Sequence, residues 1–228
     1  MMPDGPRLSP ERQQHVALMR RIAQAVAAST GDNFVLKGGT ALLLGYGLPR
    51  FSFDLDFDGR RTMTDLTRSI ESGIQAAVVA SQALIIRKDT PTTKRYMLHY
   101  TGSSTTAPQR LKIEASFRRA DDISEDDVAV INGIRIYTIE RLAPLKIEAF
   151  LNRTLGRDVF DTSFLLARYP YAIPDEQVVS IDAKLAELGE DGLLELMADD
   201  EILQAHDLDR VTLEMADAVR RLRTARGV

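Results

Sequence analysis

The chain has 228 residues, 44% of them hydrophobic and 27% charged, with no cysteine. That length can bury a sizeable interior, while the composition excludes disulfides, thiolate zinc sites and any apolar run of membrane-spanning length. The net charge of −4, from 29 basic and 33 acidic residues, argues against a general nucleic-acid coat but leaves local basic patches such as Arg60-Arg61, Arg118-Arg119 and Arg220-Arg221 available.

The opening residues lack the apolar core of a signal peptide, so the sequence predicts a cytoplasmic protein with no membrane partner. Ser9-Pro10 opens a long amphipathic helix, a hydroxyl at the cap and proline in the first turn, running to about Ser29. Gly31-Asp32-Asn33 turns the chain into a short buried strand, Phe34-Val35-Leu36. Lys37-Gly38-Gly39 then leads into an apolar helix start, Thr40-Ala41-Leu42-Leu43-Leu44. Two glycines at a strand-to-helix turn let backbone N–H groups approach a phosphate, and the new helix N-terminus favours negative charge there.

The next segment runs from Arg50 through Ser52 to Phe53-Asp54-Leu55-Asp56-Phe57-Asp58. As a strand it puts Phe53, Leu55 and Phe57 on one face and Asp54 and Asp56 on the other, the two carboxylates roughly 7 Å apart along the chain. Like charges so held invite a hard divalent cation. An Asp-x-Asp by itself is common at solvated strand edges, but joined to the glycine turn it points to nucleotide chemistry. Asp58, beside Gly59, reads as a turn residue.

Thr64 to Gln82 reads as a helix with Leu66, Ile70, Ile74 and Ala77 on one stripe, followed by strands over Ala83 to Arg87 and Lys94 to Thr101. Residues 102–108 form the clearest flexible loop. Arg110 to Phe117 alternates, with Leu111, Ile113, Ala115 and Phe117 on one face and Lys112, Glu114 and Ser116 on the other. If that strand neighbours the Asp54/Asp56 strand, Glu114 supplies a third carboxylate; otherwise it is an ordinary half-exposed glutamate. Asn132-Gly133 between Val128-Ile131 and Ile134-Tyr137 predicts a two-residue hairpin.

Thr138 caps the next helix, to about Thr154, in which Lys146 and Arg153 share a face. Another helix opens near Arg157, whose i+4 neighbour is Asp161, and the remainder from Pro174 is helical. Strands in front and helices behind predict an α+β fold: a core over 1–137 and a helical section over 138–228. His15, His99 and His206 match no metal spacing.

Gly38-Gly39-Thr40-Ala41-Leu42 followed by Arg50-x-Ser52-x-Asp54-x-Asp56-Phe57 resembles the nucleotidyltransferase superfamily and, more narrowly, the AbiEii toxin family, which includes the MenT toxins of mycobacteria. Leu142-Ala143-Pro144-Leu145-Lys146, then Ala149, Arg153 and Arg157 to Asp161, match the second half of the family pattern, so the resemblance runs from Lys37 to about Leu166. It implies a nucleotidyltransferase-like core with a mixed sheet, and a helical section that contributes Lys146 and Asp161 to the site. Asp54 and Asp56 would coordinate Mg²⁺ (or Mn²⁺), with Glu114 as the third acidic residue on a later strand. Gly38, Gly39 and Thr40 would cradle the triphosphate, with Arg50 and Ser52 helping either with phosphate or with strand geometry. Lys146 would neutralise phosphate charge, and Asp161 would orient Lys146 or touch the nucleotide.

The activity so implied is attack of a hydroxyl on the α-phosphorus of a nucleoside triphosphate, releasing pyrophosphate. The implied acceptor is RNA, in first place a tRNA 3′ end, and the implied biology is that of a toxin restrained by a cognate antitoxin. Two other readings use the same residues: transfer to a protein or small molecule, and a nucleotide-binding regulator without turnover. Keeping two adjacent carboxylates without metal costs stability, which speaks against the regulator.

Overall fold

A computed structural model describes residues 8–61, 64–77, 79–102 and 107–228. Contacts divide it into two units: residues 8–47 with Phe51–Thr138, and Leu48–Arg50 with Ile139–Val228.

The first unit holds all the strands: β1 (Phe34–Lys37), β2 (Asp54–Gly59), β3 (Ala80–Thr90), β4 (Thr93–Thr101), β5 (Gln109–Ser116), β6 (Val128–Ile131) and β7 (Ile134–Tyr137). They form one mixed sheet in the order β3-β4-β5-β2-β1-β7-β6. The β2–β5 and β1–β7 pairs are parallel and the other pairs antiparallel. Two parallel pairs require crossovers, which is why the central strands come from distant parts of the chain.

Helix α1 (Pro10–Thr30) starts where the sequence predicts, with the Ser9 hydroxyl accepting from the Arg12 N–H. Its buried stripe of Leu18, Met19, Ile22, Ala23 and Val26 packs on α3 (Thr67–Ala77), which brings in Ile70 and Ile74. Between β1 and β2 lies α2 (Gly38–Tyr46). The hairpin turn is as expected, Asn132 and Gly133 both taking positive φ, 52° and 76°.

Three expectations need correction. The helix expected to reach Gln82 ends at Ala77, because Ala80 and Ser81 pair with Thr101 and Tyr100 and begin the long strand β3. Pairing to β4 outweighs the local helical pattern there. Phe53 is not buried with Leu55 and Phe57: it precedes β2 and is 46% exposed, its ring edge-on to Phe51 at 4.6 Å. Asp58 is no turn residue: it lies within β2, buried. Part of the expected loop over 102–108, residues 103–106, lies outside the described residues.

The second unit comprises α4 (Ile139–Arg153), α5 (Gly156–Arg168), α6 (Asp175–Ala198) and α7 (Leu208–Arg226). Helix α5 touches the other three, and the run from Val159 to Leu166 is buried without interruption. A helix buried on every side must have its polar groups paired, and that requirement governs Asp158 and Asp161.

Candidate active site

The parallel β2–β5 ladder sets Asp54 opposite Lys112 and Asp56 opposite Glu114. Residues opposite one another in a ladder project to the same face, so Glu114 lies on the face that carries Asp54 and Asp56. Asp54 and Asp56 are 37% and 36% exposed. The Lys112 ammonium stands between them, 2.8 Å from Asp54 Oδ2 and 4.0 Å from Asp56 Oδ1. Glu114 is held by Arg95 of β4 at 2.7 Å. Partial burial pushes the Asp56 carboxyl up; Asp54 and Glu114 add to that rise, and Lys112 and Lys37 only partly offset it.

Among the described residues no three acidic, histidine or cysteine side chains converge closely enough to hold a metal ion. The donor chemistry of Asp54 and Asp56 still suits a hard divalent cation: two carboxylates on one accessible face, already bridged by a single positive charge.

The glycine turn abuts the same carboxylates. Lys37 pairs with Asp56 across the antiparallel β1–β2 ladder, and α2 begins at the next residue. Gly38 takes φ +78°, and a Cβ there would lie 3.6 Å from Asp56 Oδ2. Among the described residues no side chain caps this helix N-terminus, which opens next to the acidic face. Thr40 is buried, its hydroxyl hydrogen-bonded with the Ser52 hydroxyl (2.7 Å) and with the Asp54 carbonyl. Both hydroxyls therefore tie α2 to the start of β2, the strand-geometry alternative expected for Ser52 and a bracing role not expected for Thr40. The Lys37 ammonium donates to the buried Asp58 carboxylate, which also accepts from the Tyr137 hydroxyl at 3.1 Å.

In the helical unit Asp161 is fully buried and accepts from Arg50 Nε (2.6 Å) and Nη2 (2.7 Å), while Lys146 Nζ lies 2.7 Å away. Burial alone would raise the Asp161 carboxyl; the Arg50 and Lys146 cations outweigh it and hold the group below the usual carboxylate range. Arg50 is itself buried, so its fork is committed to Asp161. Arg157, the i−4 neighbour, faces Asp200 at 3.5 Å instead, and Arg153 binds the buried Asp158 with two bonds, 2.7 and 2.8 Å.

Lys37 and Lys112 carry no role in the sequence reading. The signal for Lys112 was its place on the polar face of Glu114's own strand, but only the β2–β5 register sets it against Asp54.

A family model described as "Nucleotidyl transferase AbiEii toxin, Type IV TA system" matches residues 20–226. Two solved structures from Helicobacter pylori are similar over nearly the whole chain. The structure of JHP933 has a TM-score of 0.83 at 32% identity, covering 96% of this chain and 94% of its own. The structure described as a putative nucleotidyltransferase has a TM-score of 0.82 at 32% identity, covering 96% and 97%. The MenT4 nucleotidyltransferase toxin of Mycobacterium tuberculosis shares the fold, with a TM-score of 0.52 at 12% identity over 94% of this chain and 85% of its own. No curated protein matches the sequence. Among the described residues no helix is long and apolar enough to cross a membrane.

Proposed function

The chain belongs to the AbiEii nucleotidyltransferase toxin family of type IV toxin–antitoxin systems, and from that premise we propose that it transfers a nucleoside monophosphate from a nucleoside triphosphate to RNA, in first place to a tRNA 3′ end. The observation that carries the reading is the meeting of an uncapped glycine-turn helix N-terminus with the Asp54/Asp56 face, Gly38 lying against Asp56 itself. One side of that meeting suits phosphate and the other suits the cation that accompanies it.

In this reading Asp54 and Asp56 hold Mg²⁺ or Mn²⁺, with Glu114 adjacent. The metal supplies charge neutralisation for the triphosphate and for the attacking oxygen. Backbone N–H groups of Gly38 and Gly39 bind phosphate oxygens. Thr40 and Ser52 keep Asp54 in place by bracing its backbone. Within the helical unit Asp161 holds the Lys146 ammonium and the Arg50 guanidinium, and the family resemblance gives Lys146 the part of a compact ammonium that would neutralise phosphate charge. The acceptor hydroxyl oxygen bonds to the α-phosphorus as the P–O bond to pyrophosphate breaks, pyrophosphate leaves with that electron pair, and the hydroxyl proton passes to solvent water. Positioning and electrostatics carry such a reaction, so no protein nucleophile is required. A cognate antitoxin would restrain the activity in the cytoplasm.

The test is incubation of the purified protein with total tRNA, Mg²⁺ and each α-³²P-labelled nucleoside triphosphate in turn, with Asp56→Ala as control. Label in tRNA from the wild type alone supports the proposal and identifies the nucleotide. Label in protein would move the acceptor to a polypeptide, and no label anywhere would remove the transferase reading.

A further inference from the structure

We infer that Lys112 is a resident counter-cation that competes with the divalent ion for Asp54 and Asp56, so that metal is held at this face only once Lys112 is displaced. The inference rests on the metal reading of the two aspartates given above. The β2–β5 register fixes the competitor: Lys112 is the ladder partner of Asp54, and its ammonium bridges both carboxylates at 2.8 and 4.0 Å. A metal ion bound to the same pair takes the space that the ammonium fills, and Coulomb repulsion between the two cations adds to that competition.

Release is sterically open. The Lys112 side chain is 32% exposed and rests on a flexible four-carbon stem. The neighbouring cations are tied elsewhere, Arg95 to Glu114 and Lys37 to Asp58. Carboxylates Asp54, Asp56, Asp58 and Glu114 thus already face three cations of their own, Lys37, Arg95 and Lys112. A bare dication would overcompensate this nearly neutral face, whereas a dication carried by a triphosphate brings its own negative charge. Lys112 consequently favours arrival of the metal with the nucleotide over capture of free metal.

The test uses Mn²⁺ alone, without nucleotide, and follows free Mn²⁺ by its electron paramagnetic resonance signal. Wild type, Lys112→Met and Lys112→Arg are titrated, with Lys112→Gln as a second neutral variant and circular dichroism as the folding check. The neutral variants should bind Mn²⁺ roughly tenfold more tightly than wild type, as expected when one nearby positive charge is removed from a half-exposed site. Lys112→Arg should stay near wild type, and adding Asp54→Asn to Lys112→Met should abolish the gain. Equal affinity in wild type and neutral variants, still lost with Asp54→Asn, overturns the role of Lys112 while the metal reading stands. Absence of binding in wild type and neutral variants alike overturns both.

Discussion

Asp56 on β2 and Glu114 on β5 are direct partners in a parallel ladder. More than fifty residues of helix, hairpin and loop separate them in sequence, yet their carboxylates share one face of the sheet with Asp54. The site proposed above depends on that register, because a slip of one residue would send Glu114 to the opposite face.

Asp56→Asn should reduce nucleotidyl transfer by roughly a hundredfold or more, the scale of losing a preorganised electrostatic group, without lowering stability. The Asp56 carboxyl is pushed up by burial and by Asp54 and Glu114. The folded state therefore binds this proton more tightly than the unfolded state does. Its stabilising contribution is complete below the unfolded value near 4 and is lost as pH rises through the folded value. Metal-free melting curves at pH 4 and pH 7 should show Asp56→Asn gaining on wild type at the higher pH.

Glu114→Gln separates a metal-supporting carboxylate from a mere partner of Arg95, which it contacts at 2.7 Å. The expected result is a loss of transfer of roughly 10–100-fold, with Mn²⁺ affinity reduced in parallel. Full activity in this variant would reduce the acidic set to Asp54 and Asp56.

Gly38→Ala tests the turn. At φ +78° an alanine meets the left-handed penalty of ~1–2 kcal/mol, and its methyl group would lie 3.6 Å from Asp56 Oδ2. Urea unfolding should show that loss, and transfer should fall further than stability does.

Asp161→Asn leaves the Arg50 and Lys146 cations without their shared carboxylate. Removing one partner of a buried ionic cluster costs about 3–5 kcal/mol, measurable by urea unfolding. Because the Asp161 carboxyl is held low, its contribution is present above the unfolded value near 4 and is lost as pH falls through the folded value. Wild type should therefore lose this increment only below the unfolded value near 4, and Asp161→Asn should lack that acid limb.

His15 is buried, with Nδ1 2.7 Å from the Tyr100 hydroxyl and Nε2 2.9 Å from the Phe53 carbonyl, next to Asp54. Burial pushes its imidazole down, against the opposing pull of that carbonyl and of Asp54. Its contribution is complete above the unfolded value near 6.5 and is lost as pH falls through the folded value. His15→Gln should be less stable than wild type at pH 7.5, and the gap should narrow toward pH 5 in thermal melts.

Features carried by neighbouring residues were legible without the fold. Alternation over 110–117 placed Lys112 and Glu114 together on a polar face, Asn132-Gly133 announced its hairpin, and Ser9-Pro10 announced the start of α1. The Asp54/Asp56 pair and the glycine turn were likewise visible, because their chemistry lies in one short stretch.

What escaped the sequence depended on contacts across long separations. Helix α3 stops early because β4 claims Ala80 and Ser81, Asp58 stays in the strand because Lys37 neutralises it and the Tyr137 hydroxyl donates to it, and Arg50 turns to Asp161 because α5 buries that carboxylate. Element types and the acidic and glycine motifs follow from residue order, since periodicity and turn chemistry act over a few residues. Which cation stands against which carboxylate is settled by the fold, since charge pairing depends on distance in space and on burial, and strand register sets both.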